Sequence, residues 1–185
     1  EADAIQNLSS LLNESFSDAV MHIFNSSGRV IISGIGKSAL IASKIVATLN
    51  STGTPAIFMH AADAIHGDLG TIQENDTVIC ISKSGNTPEI KMLVPLIKKG
   101  GNTLIAITGN LESSLAKLSD YVLNTYVEKE ACPNNLAPTT STTAQLVMGD
   151  ALAICLLELR GFSSKDFAKY HPGGTLGKRL YLRVA

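Results

Sequence analysis

The chain has 185 residues, room for one domain of ordinary size, and its 45% hydrophobic and 17% charged residues exclude a disordered polymer. A formal net charge of −1, with no run of Lys or Arg, gives no electrostatic ground for binding nucleic acid. The longest unbroken apolar run, Ala151 to Leu157, is far shorter than the roughly 18 residues of a membrane span, so no membrane partner is expected.

From the N-terminus, Ile5, Leu8, Leu11, Leu12, Phe16, Val20 and Ile23 recur every three or four residues, which predicts one amphipathic helix over residues 1–26. A short β-branched run from Arg29 then meets the glycines of SGIGKS, continues as a helix, and ends at Gly53 and Pro55 before a second apolar run. That is a strand, helix, strand unit. The rhythm continues through Thr77–Ser82, Pro88–Lys99, Thr103–Thr108, Ser113–Leu118 and Tyr121–Val127. Near-continuous apolar strands alternating with helices require a parallel sheet covered on both faces, the α/β class. Thr139 to Arg160 is apolar around most of its circumference and stops near Gly161, which predicts a helix buried in the domain or shared with a partner subunit. A short helix over Ser163–Tyr170 and a glycine-rich loop, HPGGTLGKRL, follow.

The richest stretch is ICISKSGNTPEI, Ile79 to Ile90, where Ser82, Ser84 and Thr87 surround Gly85 just after a strand. Pro88 suits the first turn of a helix, so Thr87 is the expected N-cap and Glu89 falls in the first turn. Short hydroxyls and free backbone N–H groups at a helix N-terminus can solvate a phosphate dianion without a metal. The same residue types also make ordinary turns with no ligand.

SGIGKS, Ser33 to Ser38, occupies the equivalent place after the first strand, where α/β sheets bind ligands. A nucleoside-triphosphate P-loop is excluded because Ile31 stands where its first glycine must be. A dinucleotide fingerprint fits formally as Gly34, Gly36 and Ala39, but the second strand ends in Met59 and His60 without the ribose-binding acid. HGDLG, His66 to Gly70, brings an imidazole and a carboxylate before the third strand, and EACPNNLAPTTSTT, Glu130 to Thr143, follows the last one, where loops close over a site. Each motif has a purely structural reading. Together they supply a phosphate loop, a lysine, two carboxylates and two histidines, the groups needed to move a proton on a phosphorylated sugar.

These blocks, with ITG at 107–109 and HPGGTLGKRL, span about residues 30–180, and through them the chain resembles the SIS (sugar isomerase) family, in particular its arabinose 5-phosphate isomerases of the Kdo and capsule pathways. The resemblance implies a three-layer α/β/α sandwich on a five-stranded parallel sheet, flavodoxin-like, as a single SIS domain over residues 1–185. Residues 1–28 would pack on that domain or on a partner subunit. It implies interconversion of D-arabinose 5-phosphate and D-ribulose 5-phosphate, no cofactor or metal, and homodimers or homotetramers. The family's catalytic lysine falls on Lys37, its acids on Glu89 and Glu130, and its histidines on His171 and His66. Its phosphate-binding positions fall on Ser82, Ser84, Gly85 and Thr87, with Ser38 a helper. Either Glu89 or Glu130 could take the C2 proton. Many relatives have an asparagine and a glutamate where Lys83 and Asn86 stand here, and Lys83 would add charge near the phosphate, favouring binding without altering the chemistry. Long members carry a pair of CBS domains after HPGG; this chain stops at Ala185, so that module is missing from it or was removed. The alternative is a non-catalytic SIS module that senses a sugar phosphate or a downstream nucleotide sugar such as CMP-Kdo.

Three cysteines, Cys80, Cys132 and Cys155, without close spacing fit reduced thiols better than a disulfide framework or a zinc site, and the acidic N-terminus does not resemble a signal peptide. A cytoplasmic location is therefore expected.

Overall fold

The structure, a computed structural model, describes residues 1–173. Five strands, β1 (Val30–Gly34), β2 (Ala56–His60), β3 (Thr77–Ile81), β4 (Thr103–Thr108) and β5 (Tyr121–Asn124), form one sheet in the order β2-β1-β3-β4-β5. All four pairings are parallel. The helices are α1 (Ala2–Leu11), α2 (Glu14–Asn25), α3 (Lys37–Ser51), α4 (Ala61–Ala64), α5 (Pro88–Lys99), α6 (Ser114–Leu118), α7 (Thr140–Leu159) and α8 (Ser164–Tyr170).

Because successive strand side chains alternate between faces, the sheet separates two cores. Ile32, Ile79, Ile81, Ile105 and Ile107 face α1, α2, α3 and α7, while Ile31, Val78, Cys80, Leu104 and Ala106 face α4, α5 and α6. The result is a three-layer α/β/α sandwich, as expected. The strand order reverses direction between β1 and β3, the switch point where the following loops diverge and leave a crevice.

The N-terminal region departs from the expectation of one helix. Leu12 is extended and Asn13 caps α2, its side chain accepting from the Ser15 N–H at 3.1 Å. Asn is poor inside a helix and favourable as a cap, so it breaks the rod while the apolar stripe runs on through both pieces. Leu8 of α1 and Ala19, Val20 and Ile23 of α2 are buried in the same core as α7.

Helices α3 and α7 lie side by side and run in the same direction. Ser38 donates to Gln145 near their starts, Lys44 pairs with Asp150 along their length, and Arg160 donates to Thr54 just beyond their ends. Gly149 allows the approach, since a Cβ there would lie 2.2 Å from Cδ1 of Ile45. Among the described residues α7 is the one helix whose length and composition alone would suit a membrane. It is packed against α3 on one side, and on the other leaves Ile154 and Leu159 exposed.

Candidate functional site

Helix α5 starts as the sequence predicts, with Thr87 as N-cap and Pro88 in the first turn, but the Thr87 hydroxyl does not cap it. Instead Thr87 Oγ1 lies 2.9 Å from Ser82 Oγ, which also accepts from the Gly85 N–H at 3.1 Å. Ser84 Oγ accepts from the Asn86 N–H at 3.2 Å. The loop is held from below by the β4–α6 connection: Gly85 O accepts from Leu115 N, Asn86 Oδ1 from Ser114 N, and Lys83 O from Gly109 N. Gly85 has a φ of +61°, where a side chain is disfavoured.

Facing this loop across the switch point, Gly36 with a φ of +59° carries the chain into α3, which also starts without a side-chain cap. Lys37 is exposed in its first turn. Ile35, Ser38, Ser82, Lys83, Ser84 and Thr87 are among the residues lining a cavity of about 260 Å3 between the two loops. With both helix starts uncapped by side chains, backbone N–H groups of α3 and α5 are available to an anion there. A wider hollow of about 580 Å3 at the opposite edge of the sheet is lined in part by Asp18 and Glu74, whose charges would repel a phosphate.

Glu89 follows in the first turn of α5, half-buried. Glu130 is in a different position. Its side chain is 2% exposed, and Lys83 Nζ donates to it at 2.7 Å. Thr139 N at 2.9 Å, Thr139 Oγ1 at 3.3 Å, Ser141 N at 3.1 Å and Ser141 Oγ at 2.5 Å donate as well. Burial alone would raise its pKa, but the bonds from Lys83, Ser141 and Thr139 outweigh burial and hold the carboxyl down to about 2. Depressed in the folded state, this group stabilises the fold above its unfolded value and loses that contribution as pH falls toward 2. Urea midpoints followed from pH 6 to pH 3 are therefore expected to decline with a slope that Glu130→Gln flattens. A parallel decline in both proteins would rule out this source.

His66 lies exposed in the turn after α4, beyond the end of β2, the neighbour of β1. His171 is elsewhere. The ring of Phe162 abuts Gly53 at the end of α3, and Tyr170 stacks on Phe162 with centroids 5.8 Å apart. His171 adjoins Tyr170, its ring stacked on Phe167 at 3.8 Å and its Nδ1 3.0 Å from Phe167 O. It therefore sits at the N-terminal edge of the sheet, separated from Lys37 by the 15 residues of α3, about 22 Å of helix. The rest of the HPGGTLGKRL stretch, residues 174–185, lies outside the described residues.

Five expected site positions, Ser38, Ser82, Ser84, Gly85 and Thr87, thus gather at the switch point with Lys37 and Glu89, while His171 does not join them within one chain. From the sequence Lys83 has a charge but no partner, and Thr139, Ser141 and Gln145 have no assigned contact; the hydroxyl-rich TTSTT run beside Glu130 is the available signal for Thr139 and Ser141. Among the described residues no cluster of His, Cys, Asp and Glu could hold a metal.

Sheet order and layering define a flavodoxin-like α/β/α protein with an anion-sized crevice at its switch point. Residues 23–155 match the SIS domain, and the chain belongs to that family. It is 53% identical over its whole length to the Pseudomonas aeruginosa arabinose 5-phosphate isomerase KdsD, covering 56% of that protein, and 54% identical to the Escherichia coli O6:H1 arabinose 5-phosphate isomerase KpsF, covering 57%. The chain spans about half the length of the curated relatives it matches. Among solved structures, an Escherichia coli CFT073 protein in complex with arabinose 5-phosphate is similar at a TM-score of 0.89 and 42% identity, over 92% of this chain and 91% of that one.

Proposed function

We propose that the chain is an aldose–ketose isomerase that interconverts D-arabinose 5-phosphate and D-ribulose 5-phosphate, in the cytoplasm, without a cofactor or metal, and feeds Kdo or capsule synthesis. Residues 1–185 are read as a single SIS domain. The observation that carries the reading is a half-buried carboxylate, Glu89, two residues beyond a hydroxyl loop that opens at the switch point. The names of the relatives and the arabinose 5-phosphate complex of a similar protein support the substrate.

On this reading the phosphate is held by the Ser82, Ser84 and Thr87 hydroxyls, with Ser38 and the backbone N–H groups of the first turns of α3 and α5, while Gly85 shapes the loop. After ring opening, a base removes the C2 proton, the C1–C2 double bond forms, and O1 gains a proton to give a cis-enediol. Loss of the O2 proton and protonation of C1 then yield the ketose. Glu89 is the base, because its carboxylate is not committed to five donors as Glu130's is. Lys37 stabilises the charge that develops on O1 and O2. His66 approaches from the β2 side, and His171 assists ring opening from a neighbouring copy, its own chain's crevice being out of reach. The working unit is then a homodimer or homotetramer.

The test is ketose formation by the purified chain from D-arabinose 5-phosphate, ribose 5-phosphate and glucosamine 6-phosphate. Turnover of the first above the other two is expected, and turnover of none would favour the sensing module.

A further inference from the structure

Lys83 stands at the junction of two loops that the rest of the site treats separately. Its backbone is pinned, with its carbonyl accepting from Gly109 N at 3.0 Å and from Thr108 Oγ1 at 3.3 Å. It lines the same cavity as Ser38, Ser82, Ser84 and Thr87, and its ammonium is held on Glu130 at 2.7 Å. Glu130 in turn is fixed by the backbone and hydroxyl groups of Thr139 and Ser141 at the start of α7.

A carboxylate that accepts five hydrogen bonds has no lone pair well placed for a substrate proton, and removing it from those donors would leave a charge buried without partners. An ammonium has three N–H donors, and one bond to Glu130 leaves two. A lysine is also costly to order, with four rotatable bonds, unless something holds its end. The two observations fit one another: the pair is an aimed cation rather than a poised base.

We infer that Lys83 is a further substrate-contacting residue, a cation that binds the phosphate dianion beside the Ser82–Thr87 loop, and that Glu130 is the positioning residue that aims it. The inference rests on the sugar-phosphate reading above and deepens it. Glu130 then ties the β3–α5 loop to the start of α7, so that anion affinity depends on a contact outside the loop that binds the anion. Removing the cation weakens binding of any phosphate ester and leaves the proton transfer on Glu89 nearly intact. The signature is a rise in KM with little change in kcat.

The test compares the full chain with Lys83→Met, Lys83→Arg, Lys83→Gln and the double variant Lys83→Met/Glu130→Gln, each checked by thermal unfolding. Binding of inorganic phosphate is measured by calorimetry, and kcat and KM are measured with D-arabinose 5-phosphate. Lys83→Met is expected to weaken phosphate binding and raise KM about tenfold, the order of a charge-assisted hydrogen bond, with kcat within about threefold. Lys83→Arg should recover most of the affinity, and Lys83→Gln, which keeps the length without the charge, should not. Adding Glu130→Gln to Lys83→Met should cost no further phosphate affinity. Unchanged phosphate binding in Lys83→Met, or in Lys83→Gln if the Met variant does not fold, overturns the inference. A fall in kcat at constant KM overturns it as well. Phosphate binding is read without turnover, so a chain that binds phosphate through Lys83 but isomerises none of the sugars refutes the isomerase reading and leaves this one standing.

Discussion

Glu89→Gln is expected to lower kcat for ketose formation by at least about 10²-fold while leaving KM within a few-fold, the loss that follows removal of a general base. Gln is nearly isosteric and keeps a polar end in the first turn of α5, so the hydroxyl loop in front of it has no reason to move. On the proposed reading the phosphate contacts come from Ser82, Ser84 and Thr87, which the substitution does not touch. Glu130→Gln provides the contrast. It disturbs five hydrogen bonds, and its expected mark is weaker substrate binding, with a smaller drop in kcat. Steady-state kinetics of the two variants side by side decide the matter. If Glu130→Gln loses 10²-fold in kcat and Glu89→Gln less than about tenfold, the two carboxylates exchange roles.

Gly85→Ala is expected to cost about 3 kcal/mol of stability and to abolish measurable phosphate binding at millimolar concentration. A Cβ at Gly85 would lie 2.1 Å from Ser113 Oγ, 2.5 Å from Ser113 Cβ and 3.0 Å from Thr108 Oγ1. Ser113 cannot swing aside without loss, since its hydroxyl caps α6 by accepting from Ala116 N and donates to Asn110 O at 2.6 Å. Alanine at a φ of +61° adds left-handed strain to the clash. Relief requires lifting the loop from the β4–α6 connection, which undoes the geometry proposed to bind the anion. Urea denaturation and phosphate calorimetry measure both effects. A loss under about 0.5 kcal/mol with phosphate binding retained would mean that the loop can yield where the packing says it cannot.

The layered sheet was legible because parallel strands are buried on both faces: Val30–Ser33, Val78–Ile81 and Leu104–Thr108 are unbroken buried runs, each closed by turn residues. Pro88 marked the start of α5 to the residue. The break at Asn13 was not legible, since the apolar period passes through it and only the local choice between cap and helix interior decides. Of the candidate site, the placement of the hydroxyl loop and of Lys37 at the ends of neighbouring strands could be read because strand ends are where such sheets open a crevice. The state of Glu130 could not, because it depends on which of several hydroxyls in TTSTT turn inward and on a lysine 47 residues away. His171 was the least legible. Its distance from the crevice follows from α7 running parallel to α3, which no local pattern of residues encodes.

That distance has a consequence for inheritance. If each crevice borrows its imidazole from a neighbour, a chain lacking His171 spoils a crevice other than its own, and a chain lacking Glu89 spoils only its own. Co-assembly of the two defective kinds regenerates some crevices with both groups, so two null alleles should complement. A His171-deficient chain produced in excess over a normal one should not inhibit it, because each normal chain still lends one imidazole to one crevice that has its Glu89.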